Sequence, residues 1–216
     1  MKKTGKEKFS PVAVIIFCLC VVMAAVFFRW LGNTDGVTVC PQQKRNSPEI
    51  VYFRQKDSRW ADDRLGEAKD TMASSGCLVC ALAAGLDMQA GDGQEAFFMT
   101  AGELNAAFSE KEVYTESGAV IWDKIVLAVP GTESYVAETV QETEIDRFLS
   151  EGIFPVVKVR MNGYGAYHWV LIVGADEDSY LCMDPMHETQ EPVPLSGFAN
   201  RVYALRAVYF TEGAFP

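Results

Sequence analysis

At Gly152 the hydrophobic rhythm of this chain changes. Upstream, apolar residues recur at helical spacing: Leu104, Ala107 and Phe108 share one face of Thr100–Ser109. Ile145, Phe148 and Leu149 follow a capping-box pattern at Thr139-Val140-Gln141-Glu142, and Gly152 closes that helix. Downstream, Val157, Val159 and Met161 alternate with Lys158 and Arg160, the period of a strand. Asn162–Gly165 reads as a loop. Ala166–Gly174 and Ser179–Asp184 read as two more strands around the acidic turn Ala175–Asp178, and Tyr203–Phe210 as a last one. Helices first and an antiparallel sheet last predict an α+β domain. Before these elements, Glu49–Phe53 has strand composition, and a short helix is expected at Arg59–Leu65. Gly91-Asp92-Gly93 is a loop. Ser117–Val140 is mixed: Ile121, Trp122, Ile125 and Val126 have helical spacing, against a high β-branched content.

The N-terminal segment has a different character. Lys2, Lys3, Lys6 and Lys8 precede an uncharged apolar run of 18 residues, Pro11–Phe28, closed by Arg29. Its length matches the lower range for a spanning helix, and the lysines orient such a helix with its N-terminus in the cytoplasm. The expected organisation is a basic cytoplasmic stretch over 1–10, a transmembrane signal-anchor over 11–28, a linker over 29–48 and a folded domain over 49–216. A cleaved signal peptide is the alternative, with small residues at Val22-Met23-Ala24. Either reading puts the domain outside the cytoplasm, with the membrane as a partner in the first.

Beyond residue 33 there are 14 basic and 28 acidic residues, a formal charge of −14. Such a surface argues against nucleic acid or anionic lipid as a ligand. The six cysteines form no disulfide framework: Cys18 and Cys20 lie in the apolar run, Cys40 in the polar linker, and Cys77, Cys80 and Cys182 in the domain. Cys77-x-x-Cys80 spells half of a zinc or redox motif. Cys182, His168 and His187 could add ligands, but without a recognisable spacing. No cofactor and no metal is called for.

Ser74-Ser75-Gly76-Cys77 leads straight into the apolar run Leu78-Val79-Cys80-Ala81-Leu82-Ala83-Ala84. A helix therefore starts at or near Cys77 and runs to about Leu86, with Gly85 near its end. Unpaired N–H groups and the helix dipole at that point favour a thiolate. The plain alternative is a structural cysteine in a core helix. His168 and Asp184 each lie eight residues from Asp176. A hairpin centred there makes them directly opposed cross-strand neighbours on one face. A carboxylate so placed accepts from one imidazole nitrogen and aims the other outward. A helix-start cysteine facing that nitrogen completes a Cys–His–Asp arrangement. His187, past Pro185 in a loop, is the weaker candidate for the base. A register slip of one residue would put the two side chains on opposite faces.

Four blocks, in order, carry a family resemblance: Gln55-Lys56-Asp57-Ser58-Arg59-Trp60, Gly76-Cys77, His168-Trp169-Val170-Leu171-Ile172-Val173-Gly174 and Asp184-Pro185. Together they resemble the C39-like cysteine peptidases of bacteria, which have a papain-like fold. The resemblance spans roughly Ile50 to Phe210. It implies N-terminal helices packed on a C-terminal antiparallel sheet. It implies Cys77 as nucleophile, His168 as general base and then acid, and Asp184 as the orienting carboxylate. Gln55 would donate its side-chain amide to the oxyanion beside the Cys77 backbone N–H. Trp60 and Trp169 read as packing around the cleft. The implied protein is a membrane-anchored thiol hydrolase acting on a peptide or amide bond of a peptide or protein, a cell-wall peptide included.

The chain departs from the family at Leu78-Val79-Cys80, where Gly-Pro-Thr/Ser is usual. The family's transporter-fused members trim double-glycine leader peptides. No ATPase pattern or second apolar run is present in this sequence, so that substrate is not carried over. A non-catalytic module that keeps the cleft to bind a peptide or a cell-wall partner is the competing reading.

Overall fold

The computed structural model describes residues 11–31, 36–90 and 99–211. The loop expected at Gly91-Asp92-Gly93 lies outside the described residues. The chain divides into two units, Met1–Asp35 and Gly36–Pro216.

The first unit is helix α1, Pro11–Leu31. Among the described residues, no helix is long and apolar enough to cross a membrane. The spanning helix expected over 11–28 is corrected accordingly.

The second unit is α+β. In chain order its elements are β1 (Val37–Thr38), α2 (Met72–Ser75), α3 (Cys77–Ala90), α4 (Ala101–Glu110), α5 (Ile125–Ala128), β2 (Thr132–Val136) and α6 (Glu142–Ser150). Then come β3 (Val156–Arg160), β4 (Tyr167–Ala175), β5 (Tyr180–Met183), β6 (Val193–Pro194), β7 (Arg201–Val202) and β8 (Ala204–Phe210). Six strands form one antiparallel sheet in the order β2-β8-β3-β4-β5-β6, and β1 pairs with β7. Strand β2 comes before α6 in sequence but joins the edge of the sheet by pairing with β8. The passage from helices to strands is thus not as clean as the change of period suggests.

The central strand β4 is buried on both faces, which is why it reads as a nearly continuous apolar run. Leu171 and Val173 face one core, with Val79, Leu82 and Leu86 of α3 and Leu104 and Phe108 of α4. Val170 and Ile172 face the other, with Ile145 of α6, Leu195 and Phe198. Helix α3 runs four residues past Leu86, so Gly85 lies inside it. A Cβ on Gly85 would come within 2.9 Å of Leu171 Cδ1. The glycine lets helix and strand approach closely and does not stop the helix. Helix α4 starts as expected, with Thr100 as N-cap and reciprocal bonds to Glu103.

Other local expectations are corrected. The strand expected at Glu49–Phe53 does not form; the side chains of Ile50, Val51, Tyr52 and Phe53 pack against the α3 core instead. Arg59–Leu65 is a run of turns, with Trp60 N–H and Ala61 N–H both donating to the Asp57 carbonyl. Helix α6 begins at Glu142, and its N-cap is Gln141. The Glu142 carboxylate, which a Thr139 capping box would need, accepts from the Cys40 N–H at 3.2 Å. Gly152, at φ 73°, does end the turn after α6. Met161 leaves the strand pattern to open a turn, Met161–Gly163, in which Asn162 has φ 52°.

Candidate active site

Helix α3 and strand β4 converge on one end of the sheet. From the Gly85–Leu171 contact, eight residues back along α3 are about 12 Å, and three residues back along β4 are about 10 Å. Those steps arrive at Cys77 and His168. Cys77 is the first residue of α3, and its side chain is half-buried. Short helix α2 ends at Gly76, so the chain bends just ahead of the cysteine. A Cβ at Gly76 would lie 2.6 Å from the Met72 carbonyl oxygen, so the bend requires glycine.

His168 is only 2 % exposed, and Asp184 is 7 % exposed. Imidazole Nε2 lies 2.6 Å from Asp184 Oδ1. The same oxygen accepts from the Met186 N–H at 2.8 Å, and the His187 N–H donates to the Asp184 carbonyl at 3.0 Å. The turn Asp184–His187 therefore holds the carboxylate rigidly. The Cys77 side chain is the imidazole's other polar neighbour, close enough to help raise its pKa. With Nε2 engaged by Asp184, Nδ1 is the nitrogen left to face the thiol. Burial pulls the imidazole pKa down. Hydrogen bonds to Asp184 and Cys77, and the attraction of both groups, outweigh burial and push it up to about 9.

The expected register is corrected here. Leu171 pairs with Met183 and Ile172 with Cys182. Continued by one residue, that register sets Asp184 opposite Val170, not His168. The sheet has moved by two residues, so the face is preserved, and His168 and Asp184 are diagonal neighbours within reach of each other. The turn is centred between Glu177 and Asp178, not on Asp176, which shifts the register by three, and the irregularity between Ile172 and Gly174 takes one residue back.

Gln55 is 3 % exposed and sits beside this group through two bonds. Its backbone N–H donates to the Pro185 carbonyl at 2.9 Å, next to Asp184. Its side-chain Nε2 donates to the Ala73 carbonyl at 2.9 Å. Ala73 lies four residues before Cys77, so its carbonyl is the one a continuous helix would offer to the Cys77 N–H. The Gln55 loop is anchored by Trp60, 3 % exposed, whose indole N–H donates to the Arg54 carbonyl at 2.9 Å. Asp57 closes the turn by accepting from the Arg59 backbone and guanidinium. The sequence reading did not identify Ala73 or Met186. Both act through backbone atoms, which leave no mark on residue type.

The remaining candidates are set apart. His187 is exposed, and its Nδ1 lies 2.9 Å from Thr189 Oγ1. Cys80, one turn beyond Cys77, and Cys182 are fully buried, and burial raises both thiols well above their ordinary value. Among the described residues, no group of three or more His, Cys, Asp or Glu side chains is placed to hold a metal ion.

No protein-family model matches the chain, and no curated protein matches it. Among solved structures, it is similar to a chain from Bacillus anthracis described, provisionally, as a C39-like peptidase. The two are 11 % identical with a TM-score of 0.49, over 78 % of this chain and 99 % of that one.

Proposed function

We propose that this protein is a thiol hydrolase that cleaves a peptide or amide bond, a C39-like cysteine peptidase in its chemistry. One observation carries the reading: a buried imidazole is held at 2.6 Å by a buried carboxylate, and the half-buried thiol at a helix start is near enough to that imidazole to help raise its pKa. His168 Nδ1 takes the Cys77 proton, and the Sγ anion attacks the substrate carbonyl carbon. Asp184 stabilises the imidazolium and keeps its tautomer. The tetrahedral oxyanion meets the Cys77 N–H and the second N–H of Gln55 Nε2. Gln55 Nε2 also donates to the Ala73 carbonyl, one helical turn before Cys77, which fixes its amide beside the helix start. Collapse breaks the C–N bond, and the imidazolium proton goes to the leaving amine. His168 then deprotonates a water, which hydrolyses the thioester and frees Cys77.

Iodoacetamide tests the reading. At pH 6, Cys77 should be carboxamidomethylated at least tenfold faster than Cys80 or Cys182, located by peptide mass spectrometry. His168→Ala should move that reactivity to higher pH. Equal rates at the three cysteines, unchanged in His168→Ala, would leave no activated thiol to propose.

A further inference from the structure

The end of β4 remote from Cys77 is crossed by residues 45–48. Two hydrogen bonds pin this segment there. The Arg45 N–H donates to the Ala175 carbonyl at 2.8 Å, and the Ala175 N–H donates to the Arg45 carbonyl at 3.0 Å. A Cβ on Gly174 would lie 2.5 Å from Ser47 Oγ and 2.9 Å from the Arg45 carbonyl oxygen, so glycine lets the segment seat this closely. Beside it lies an opening of about 550 Å³. Pro48, Leu149, Phe154 and Val173 give it apolar walls, and Arg45, Asn46 and Ser47 give it a polar side. Two of those polar side chains are unsatisfied. Arg45 Nε and Ser47 Oγ are both buried, and neither has a hydrogen-bond partner among the described residues. Nor does any described carboxylate pair with the Arg45 guanidinium, while its neighbour Lys44 takes Asp176 at 3.8 Å.

We infer that this opening binds a carboxylate carried on an apolar body, aliphatic or aromatic. A buried guanidinium nitrogen without a partner is unfavourable, and a carboxylate is the planar acceptor that fits the guanidinium fork. Ser47 Oγ, equally unpartnered, supplies a hydroxyl donor on the same side of the opening. The apolar walls take the body of the ligand, and the volume lies within the range of about 300–1,000 Å³ usual for a small-molecule site. An inorganic anion would meet the guanidinium but leave the half-buried Leu149 and Phe154 uncovered. The site lies about six strand residues from His168 and does not rest on the thiol-hydrolase reading.

The test is calorimetric titration of the full chain with two acids, N-acetyl-L-phenylalanine and octanoate, and with the amide of each. At least one acid should bind with a Kd below about 1 mM, and its amide about tenfold more weakly or worse. The tighter of the two acids separates a peptide-like carboxyl terminus from an aliphatic acid as the source of the carboxylate. Arg45→Gln should weaken that acid to the affinity of its amide, since the charge-assisted bond is gone. Asn46→Trp, at an exposed position lining the opening, should weaken it about tenfold by filling the space. Circular dichroism checks that each variant is folded, and where Arg45→Gln is not, Asn46→Trp and the acid–amide difference decide. Neither acid binding in that range, an acid and its amide binding equally, or an unchanged Kd in a folded variant would overturn the inference.

Discussion

The two ends of strand β4 make an instructive pair. At one end His168 enters the sheet beside Cys77 and Asp184. At the other, about 20 Å along the strand, Gly174 borders a larger opening of about 550 Å³ lined by Arg45, Asn46, Ser47, Pro48, Leu149 and Phe154. The larger space has neither cysteine nor histidine in its lining. A space of about 260 Å³ nearer the His168 end is lined by residues next in the chain to Cys77 and His168, Leu78 and Trp169 among them; the His168 and Asp184 side chains themselves are buried. Burying polar and titratable groups is unfavourable unless they are paired, so the His168–Asp184 pair is the more telling feature.

The sharpest way to break the comparison is to remove the proton carrier. His168→Ala should lower hydrolysis of a fluorogenic peptide amide by about 10⁴-fold, with the protein still folded by circular dichroism. Asp184→Asn should come next, at about 10³-fold. An amide still offers an oxygen to the Met186 N–H but no longer accepts a charge-assisted bond from Nε2, so the imidazolium loses its partner. Cys77 should remain open to iodoacetamide in that variant. A loss below tenfold in both variants would mean that this end of β4 is a binding surface.

Gln55→Ala should slow turnover by about 10²–10³-fold, since oxyanion donors act only along the acyl-transfer path. Its iodoacetamide rate should stay within about twofold, because alkylation by iodoacetamide forms no oxyanion. If labelling falls as much as turnover, Gln55 supports the shape of the loop and not the transition state.

How far this end of β4 could be read from the sequence depended on what each residue needs. The alternation of His168, Val170 and Ile172 with Trp169, Leu171 and Val173 made face and strand legible. Face parity survives a shift of two, so the His168–Asp184 pairing held even though the register did not. The helix start at Cys77 was legible because small residues break the chain just before an apolar run. By contrast, Glu49–Phe53 has strand composition, yet its apolar side chains are taken up by the α3 core, and only the tertiary structure decides that. The bond from Gln55 to the Ala73 carbonyl spans eighteen residues and uses a backbone acceptor, so no residue type announces it. Thr139 lost its capping role to Cys40, whose N–H bonds to Glu142 from 102 positions away.

A gentler probe of the same pair is pH. Free imidazole titrates near 6.5, and His168 in the fold near 9. Between those values the folded chain holds a proton that the unfolded chain has released. The contribution of His168 to stability is therefore fully present below the lower value and lost as pH rises through the upper one. The slope is at most about 1.4 kcal/mol per pH unit. Urea midpoints measured from pH 6.5 to 9 should fall with pH, and Asp184→Asn should flatten that trend by removing one cause of the raised imidazole. A slope that is the same in both proteins would show that Asp184 does not hold the proton on His168.

The smallest effect should come from the other end of the strand. Asn46 is exposed and lines the 550 Å³ opening. Asn46→Trp would occupy part of that space without displacing a buried group, so stability should move by no more than about 0.5 kcal/mol. Because the opening is about six strand residues from His168, peptide hydrolysis and Cys77 labelling should both stay within about twofold of the parent. This near-silence is the control that gives the large effects their meaning. The same substitution lowering peptide turnover tenfold, with Cys77 labelling unchanged, would mean that the substrate reaches along the sheet to Gly174. The two ends of β4 would then belong to one extended binding surface, with the chemistry confined to its His168 end.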